Sequence, residues 1–192
     1  LLPSEGEVQI LDKTITAGSK PKNLKELRRL VGLVFQFPEY QLFEETIEKD
    51  IAFGPKNFGT SEEEANALVR KVLPLVGLDE SYLDRSPFEL SGGQKRRVAI
   101  AGILILNPEV LVLDEPTAGL DPQGATEMMS LFMKLNCKMN KTVLLVTHDM
   151  DHVMNYCDHV IVLDHGKLKH ESDVQTFFQH PDWMLNIGIN PP

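Results

Sequence analysis

Leu90-Ser91-Gly92-Gly93-Gln94 stands directly ahead of Lys95-Arg96-Arg97 and an apolar helical stretch. Ser91 is a suitable helix N-cap. The two glycines let backbone N–H groups approach a ligand with no side chain in the way. A helix N-terminus carries partial positive charge and unpaired N–H groups, so this segment suits an anion such as phosphate. An ordinary Ser-Gly-Gly turn before a helix would use the same residues. Further on, the apolar run 110–113 ends in Asp114-Glu115-Pro116-Thr117. Two carboxylates at the carboxyl end of a buried strand stand where α/β folds bind ligands. One can hold a magnesium ion, directly or through water. The other can orient or deprotonate an attacking water. Solvated acids at a strand end are the plainer alternative. The upstream glycine motif and Pro116, which fixes the turn, weigh against it. Ala118-Gly119-Leu120-Asp121-Pro122 follows at once, and the run 143–147 then ends in His148. A histidine there can bond a terminal phosphate or serve as a structural cap. His148-Asp149-Met150-Asp151-His152 imitates the His-Glu-x-x-His of zinc proteases, but Asp149 replaces the general-base glutamate and a strand leads into His148. The metal reading is rejected on those grounds.

These residues need a scaffold of strands and helices. Residues 1–20 read as short strands and turns broken by Pro3, Gly6 and Gly18. Asn23 can cap a helix through Leu30, and Val31-Gly32-Leu33-Val34-Phe35 is a compact apolar strand. A short helix is expected near 46–52. Residues 61–78 carry a helical stripe opened by a Ser61/Glu64 capping box and interrupted by Pro74, which should kink or split it. From Glu109 onward, strands and helices alternate: strand 110–113, helix 123–139, strand 142–146, helix 149–156, strand 160–163, a turn at Gly166 into a further strand, and a helix at 174–179. Unbroken apolar strands separated by helices indicate a parallel sheet covered on both faces.

Composition bounds the class. The 192 residues are 42% hydrophobic, enough to bury a sizeable core. A net charge of −9 argues against a general nucleic-acid binder. Cys137 and Cys157 lack C-x-x-C spacing and read as buried or free thiols in a reducing compartment. No apolar run reaches the roughly 20 residues that span a bilayer.

Taken in order and spacing, Gln36 after a strand, the signature at 90–94, Asp114-Glu115, the loop at 118–121 and His148 resemble the ABC ATPases, over nearly the whole chain. The resemblance implies an α/β, P-loop NTPase-like domain with a parallel sheet, flanking helices and an inserted helical subdomain. It divides the chain into a remnant of the N-terminal RecA-like part (1–35), the glutamine loop and helical subdomain (36–90), the signature helix and catalytic core (91–170) and the start of a C-terminal segment (171–192). It also implies ATP and Mg2+ as ligands. By the same resemblance, Gln36 contacts the metal or the water and relays to a membrane partner, Asp114 holds magnesium and Glu115 is the general base. Asp121 is the aspartate of a loop that crosses the dimer interface, and His148 is the switch at the γ-phosphate. Two such domains sandwich ATP in this class, so Ser91, Gly92, Gly93 and Gln94 would touch nucleotide bound by the opposite protomer.

The class also needs G-x-x-x-x-G-K-[ST] to hold the β- and γ-phosphates, and nothing here matches it. Gly54-Pro55-Lys56-Asn57-Phe58-Gly59-Thr60 has the glycine spacing but no lysine after Gly59, and it follows no strand. The missing loop is expected ahead of residue 1, with the domain truncated at its N-terminus and inactive without that loop. The stretch Val34-Phe35-Gln36-Phe37-Pro38-Glu39-Tyr40-Gln41-Leu42-Phe43-Glu44-Glu45-Thr46-Ile47, continuing to Pro55, is more specific. It resembles the ATPases of energy-coupling-factor transporters, importers of vitamins or metal ions, and the second of their two paired ATPases. That implies a second ABC ATPase subunit (a paralogue or a second copy), a membrane coupling subunit and a substrate-binding membrane subunit as partners. It implies no nucleic acid, and a peripheral place on the cytoplasmic face of the membrane. Glu39, Glu44, Glu45, Glu48 and Asp50 make this insert acidic, a candidate groove for basic helices of the coupling subunit or simply a solvated face. The alternative is a soluble ABC-class ATPase, such as a translation or repair factor. Chromosome-organising relatives are disfavoured because no heptad run separates Gln36 from Ser91.

Overall fold

The computed structural model describes residues 2–20, 24–179, 184–185 and 188–189. β1 (Glu7–Ile10) and β2 (Lys13–Thr16) form an antiparallel hairpin. α1 (Leu24–Leu30) leads into β3 (Val31–Val34). Its expected cap, Asn23, lies outside the described residues. After a 3-10 turn over Pro38–Gln41 come α2 (Ile47–Asn57) and α3 (Glu62–Val72). α3 opens on the Ser61/Glu64 capping box and gives way to a 3-10 turn over Leu73–Val76, where Pro74 has no N–H to continue the ladder. α4 (Gly92–Leu104), β4 (Val110–Asp114), α5 (Pro122–Met139), β5 (Thr142–Val146) and α6 (Met150–Tyr156) follow. The chain then forms β6 (His159–Asp164), β7 (Lys167–Asp173) and α7 (Val174–Phe178).

β3, β4 and β5 make a parallel sheet in that order, with Val34 opposite Leu113 and Asp114 opposite Val146. β6 does not join it among the described residues. His165 and Gly166, at φ 48 and 73, form a two-residue turn that folds β7 back antiparallel onto β6. Two successive positive φ values match the twist of a hairpin, which decides this pairing locally.

The main core is built around α4. Its Val98, Ile100, Ala101 and Leu104 are buried with Ile47, Ile51 and Ala52 of α2, Val69 and Val72 of α3, Leu111 and Leu113 of β4, and Phe132 of α5. Gly32 lets β3 lie close to this cluster, since a Cβ there would fall 2.7 Å from Ile103 Cγ2 and 3.1 Å from Pro108 Cγ. A smaller cluster, with Val153, Val160, Val162 and Phe177, joins α6, β6 and α7.

α4 and α5 pack into the cluster that contains Leu111 and Leu113 and cover that face of the sheet. Leu33, Leu144 and Val146 on the other face are exposed among the described residues. One expectation needs correction. The helix expected to stop near residue 52 runs on to Asn57 through Gly54 and Pro55. Ile51, Ala52 and Pro55 are buried there. Packing of that face outweighs the one hydrogen bond that Pro55 cannot make. The segment 54–60, with its glycine spacing, is thus the end of a helix rather than a loop between a strand and a helix.

Candidate functional site

The carboxyl ends of three parallel strands finish side by side, and each delivers a residue singled out by its chemistry. Gln36 leaves β3 just past Val34, Asp114 is the last residue of β4 with Glu115 next, and His148 follows β5. Glu115 is fixed from two sides. Its N–H donates to Val146 O at 2.9 Å, and its Oε1 accepts from both the backbone N–H of His148 at 3.0 Å and the ring Nδ1 at 2.6 Å. An ionised carboxylate can only accept, so Nδ1 carries the proton in this contact and Nε2 is the ring nitrogen left for another group. The bond to Glu115, followed by the charge of that carboxylate, raises the His148 imidazole above its ordinary value. The His148 side chain is 90% exposed while that of Glu115 is mostly buried. Glu115 also holds a left-handed backbone at φ 47, a conformation that costs energy for a residue with a Cβ and clusters at functional sites.

Asp114 and Gln36 make no side-chain hydrogen bond or ion pair among the described residues, so their oxygens stay open at this end of the sheet. No group of three or more His, Cys, Asp or Glu residues converges as a metal cage among the described residues. His148 precedes α6 while His152 lies within it, and only His152 is turned inward, so the two do not share the helical face of a zinc-protease motif.

The signature forms the start of α4. Ser91 Oγ accepts the N–H of Gln94 at 3.3 Å, and Gln94 Oε1 accepts the N–H of Ser91 at 3.1 Å. Gln94 Nε2 reaches Tyr82 Oη at 3.1 Å, which engages both ends of this side chain within the chain itself. A Cβ on Gly92 or Gly93 would meet nothing within 4 Å. Packing inside the chain therefore does not require glycine at either position, and the open space suits a group approaching from outside. Asp121 caps α5, its Oδ1 accepting the N–H of Gly124 at 2.7 Å.

The acidic insert, read as a candidate groove or a solvated face, is mostly engaged internally. Glu39 pairs with Arg96, Glu45 with Lys49 and Glu48 with Arg70, and Asp50 Oδ2 accepts the N–H groups of Phe43 and Glu44. Only Glu44 of the five has a carboxylate without such a partner among the described residues. Tyr40, Phe43 and Phe53 are exposed beside these acids, Phe43 meeting Phe53 edge-on with centroids 4.8 Å apart. Sequence reading misses Arg96, which it places in a basic tract with Lys95 and Arg97. A signal is present, because Arg96 lies one helical turn before Ile100 on the buried stripe of α4.

The ABC transporter family model matches residues 1–118, and the chain belongs to that family. Within it, the chain is similar to the energy-coupling factor transporter ATP-binding protein EcfA2 of Enterococcus faecalis, 61% identical over 190 residues that cover 99% of this chain and 66% of the relative. The protein of the same name from Ligilactobacillus salivarius is 56% identical over 192 residues, 100% of this chain and 66% of the relative. The chain thus spans 66% of the length of these relatives. Among solved structures, cbiO1 from Clostridium perfringens, described as part of the ABC transporter complex cbiONQ, has a TM-score of 0.75 at 36% identity, over 92% of this chain and 71% of that one. The ATP-binding cassette MJ0796, described as a dimer in a post-hydrolysis state bound to ADP and Pi, has a TM-score of 0.75 at 32% identity, over 90% and 75% of the two chains.

Proposed function

We propose that the chain is the greater part of a subunit that binds and hydrolyses ATP to power import by an energy-coupling-factor ABC transporter. The observation that carries this reading is the convergence of Gln36, Asp114, Glu115 and His148 at one end of the sheet. In this reading Glu115 is the general base. His148 anchors Oε1 through two N–H groups, which leaves Oε2 to take a proton from the attacking water. With the ring doubly protonated, His148 Nε2–H is then free to donate to a terminal phosphate oxygen. Asp114 and Gln36 together suit magnesium, which binds through one or two protein oxygens and completes its shell with water and substrate phosphates. When bound, the ion neutralises charge developing on the transferred phosphoryl group. Ser91, Gly92, Gly93 and Gln94 meet the nucleotide of the opposite protomer, a second copy or a paralogue, and Asp121 lies at that interface. The 36–90 region is the helical subdomain in this assignment, and 91–170 the catalytic core.

A membrane coupling subunit and a substrate-binding membrane subunit complete the assembly, with the ATPase peripheral on the cytoplasmic face. No helix among the described residues is long and apolar enough to cross a membrane. The exposed aromatic residues Tyr40, Phe43 and Phe53 support docking of the coupling subunit on the insert, by apolar contact more than by charge. The experiment is ATP hydrolysis by the full-length protein assembled with its partners. Glu115→Gln is expected to lower kcat by about 10²- to 10⁴-fold, the usual contribution of a general base. A Glu115→Gln protein that hydrolyses ATP at the wild-type rate removes the assignment.

A further inference from the structure

Arg96 is 2% exposed and is the one charged residue fully buried among the described residues. An arginine cannot shed its proton, so the whole guanidinium must be satisfied inside the protein. Its Nε and Nη2 grip both carboxylate oxygens of Glu39, at 3.1 and 3.0 Å. Its Nη1 donates to Pro116 O at 3.2 Å and to Ala118 O at 2.9 Å. The guanidinium lies 5.7 Å from the Phe37 ring centroid, and a Cβ on Gly119 would stand 3.2 Å from that same ring. One side chain of α4 therefore holds two loops against each other: the turn after β3, which carries Gln36, and the loop after β4, which runs from Glu115 to Asp121. Each loop contains a left-handed residue with a Cβ, Phe37 at φ 56 and Glu115 at φ 47. Such conformations persist where the surroundings over-determine them.

We propose that Arg96 and Glu39 form a positioning pair that couples the Gln36 turn to the loop bearing Glu115. Tyr40, next to Glu39, is 84% exposed, so a contact made on this turn from outside is passed through Glu39 and Arg96 to the carbonyls of Pro116 and Ala118. The pair touches neither the reacting water nor the phosphates. Its loss changes how well Glu115 is placed and leaves nucleotide affinity alone. This inference rests on the reading of Glu115 as the general base.

The test uses the full-length protein assembled with its partner subunits, with kcat and KM for Mg-ATP measured for wild type, Glu39→Gln, Arg96→Lys and Arg96→Met. Glu39→Gln keeps the size of the side chain and removes its charge. It is expected to lower kcat by about tenfold or more, with KM within about twofold of wild type. Arg96→Lys retains the charge without the fork and should fall between wild type and Arg96→Met. The Glu39→Gln result decides the matter if Arg96→Met does not fold, because Glu39 is 15% exposed and easier to replace. A folded Glu39→Gln protein with wild-type kcat overturns the proposal, as does one in which KM rises in step with the loss of kcat. A Glu39→Gln chain that fails to fold makes the pair structural and overturns it too. Wild-type protein that turns over no ATP brings down the functional reading itself, and this inference with it. If wild type is active and Glu39→Gln matches it, only the pair is discarded.

Discussion

Glu115 places two N–H groups of His148 on one of its carboxylate oxygens and hangs its own N–H on Val146. That arrangement has a pH signature. The contact raises the folded-state pKa of His148. Its contribution to stability is therefore fully present below the ordinary histidine value of about 6.5, as long as Glu115 is ionised, and is lost as pH rises through the raised value. The exposed ring keeps that contribution small. Glu115→Gln should move the titration of the His148 ring back toward its ordinary value, followed by NMR of the ring C–H protons. An unmoved titration would show that the pair is not formed in solution. Gly32→Ala should destabilise the protein by about 1–3 kcal/mol in thermal or denaturant unfolding, because the stiff Ile103 and Pro108 must give way. An unchanged midpoint would mean that β3 and α4 are less tightly packed. The placement of Glu115, Asp114 and His148 at strand ends was legible from the apolar runs before them. The contacts of Arg96 were not, because its partners Glu39 and Pro116 lie 57 and 20 positions away and only the folded chain brings them together.

Two helices start in the same way, and the difference between them separates structure from function. Ser61 with Glu64 and Ser91 with Gln94 are both complete capping boxes. Removing either hydroxyl should cost about 1 kcal/mol. Ser61→Ala should lower stability and leave ATP-driven association intact, whereas Ser91→Ala should weaken both, measured by unfolding and by light scattering in Mg-ATP. Equal association in the two variants would reduce the signature serine to a cap. The Ser61/Glu64 capping box and the Ser91 cap were readable because they are local. The extent of α2 was not, because Gly54 and Pro55 look like breakers until the burial of Ile51, Ala52 and Pro55 is known. Phe43→Asp should reduce co-purification with the membrane coupling subunit more than Glu44→Lys does, since Phe43 is exposed in an aromatic pair. The reverse order would restore a charge-driven interface.

In the proposed function, three strand ends and one helix start supply the site between them, and neither suffices by itself. The parallel character of the sheet followed from apolar runs separated by helices, but its order β3-β4-β5 did not. The pairing of β6 with β7 was harder to read, because it depends on positive φ at His165 as well as at Gly166. In the proposed function, the open glycines of α4 complete a site whose base and switch residues lie on another protomer. Full-length Glu115→Gln protein, mixed with its partner ATPase, tests it most directly by size-exclusion chromatography with light scattering in Mg-ATP. A stable ATP-dependent dimer is expected, and Ser91→Arg on the same background should abolish it, through charge and bulk at the phosphate. A dimer that forms equally well with arginine at that position would contradict the shared site.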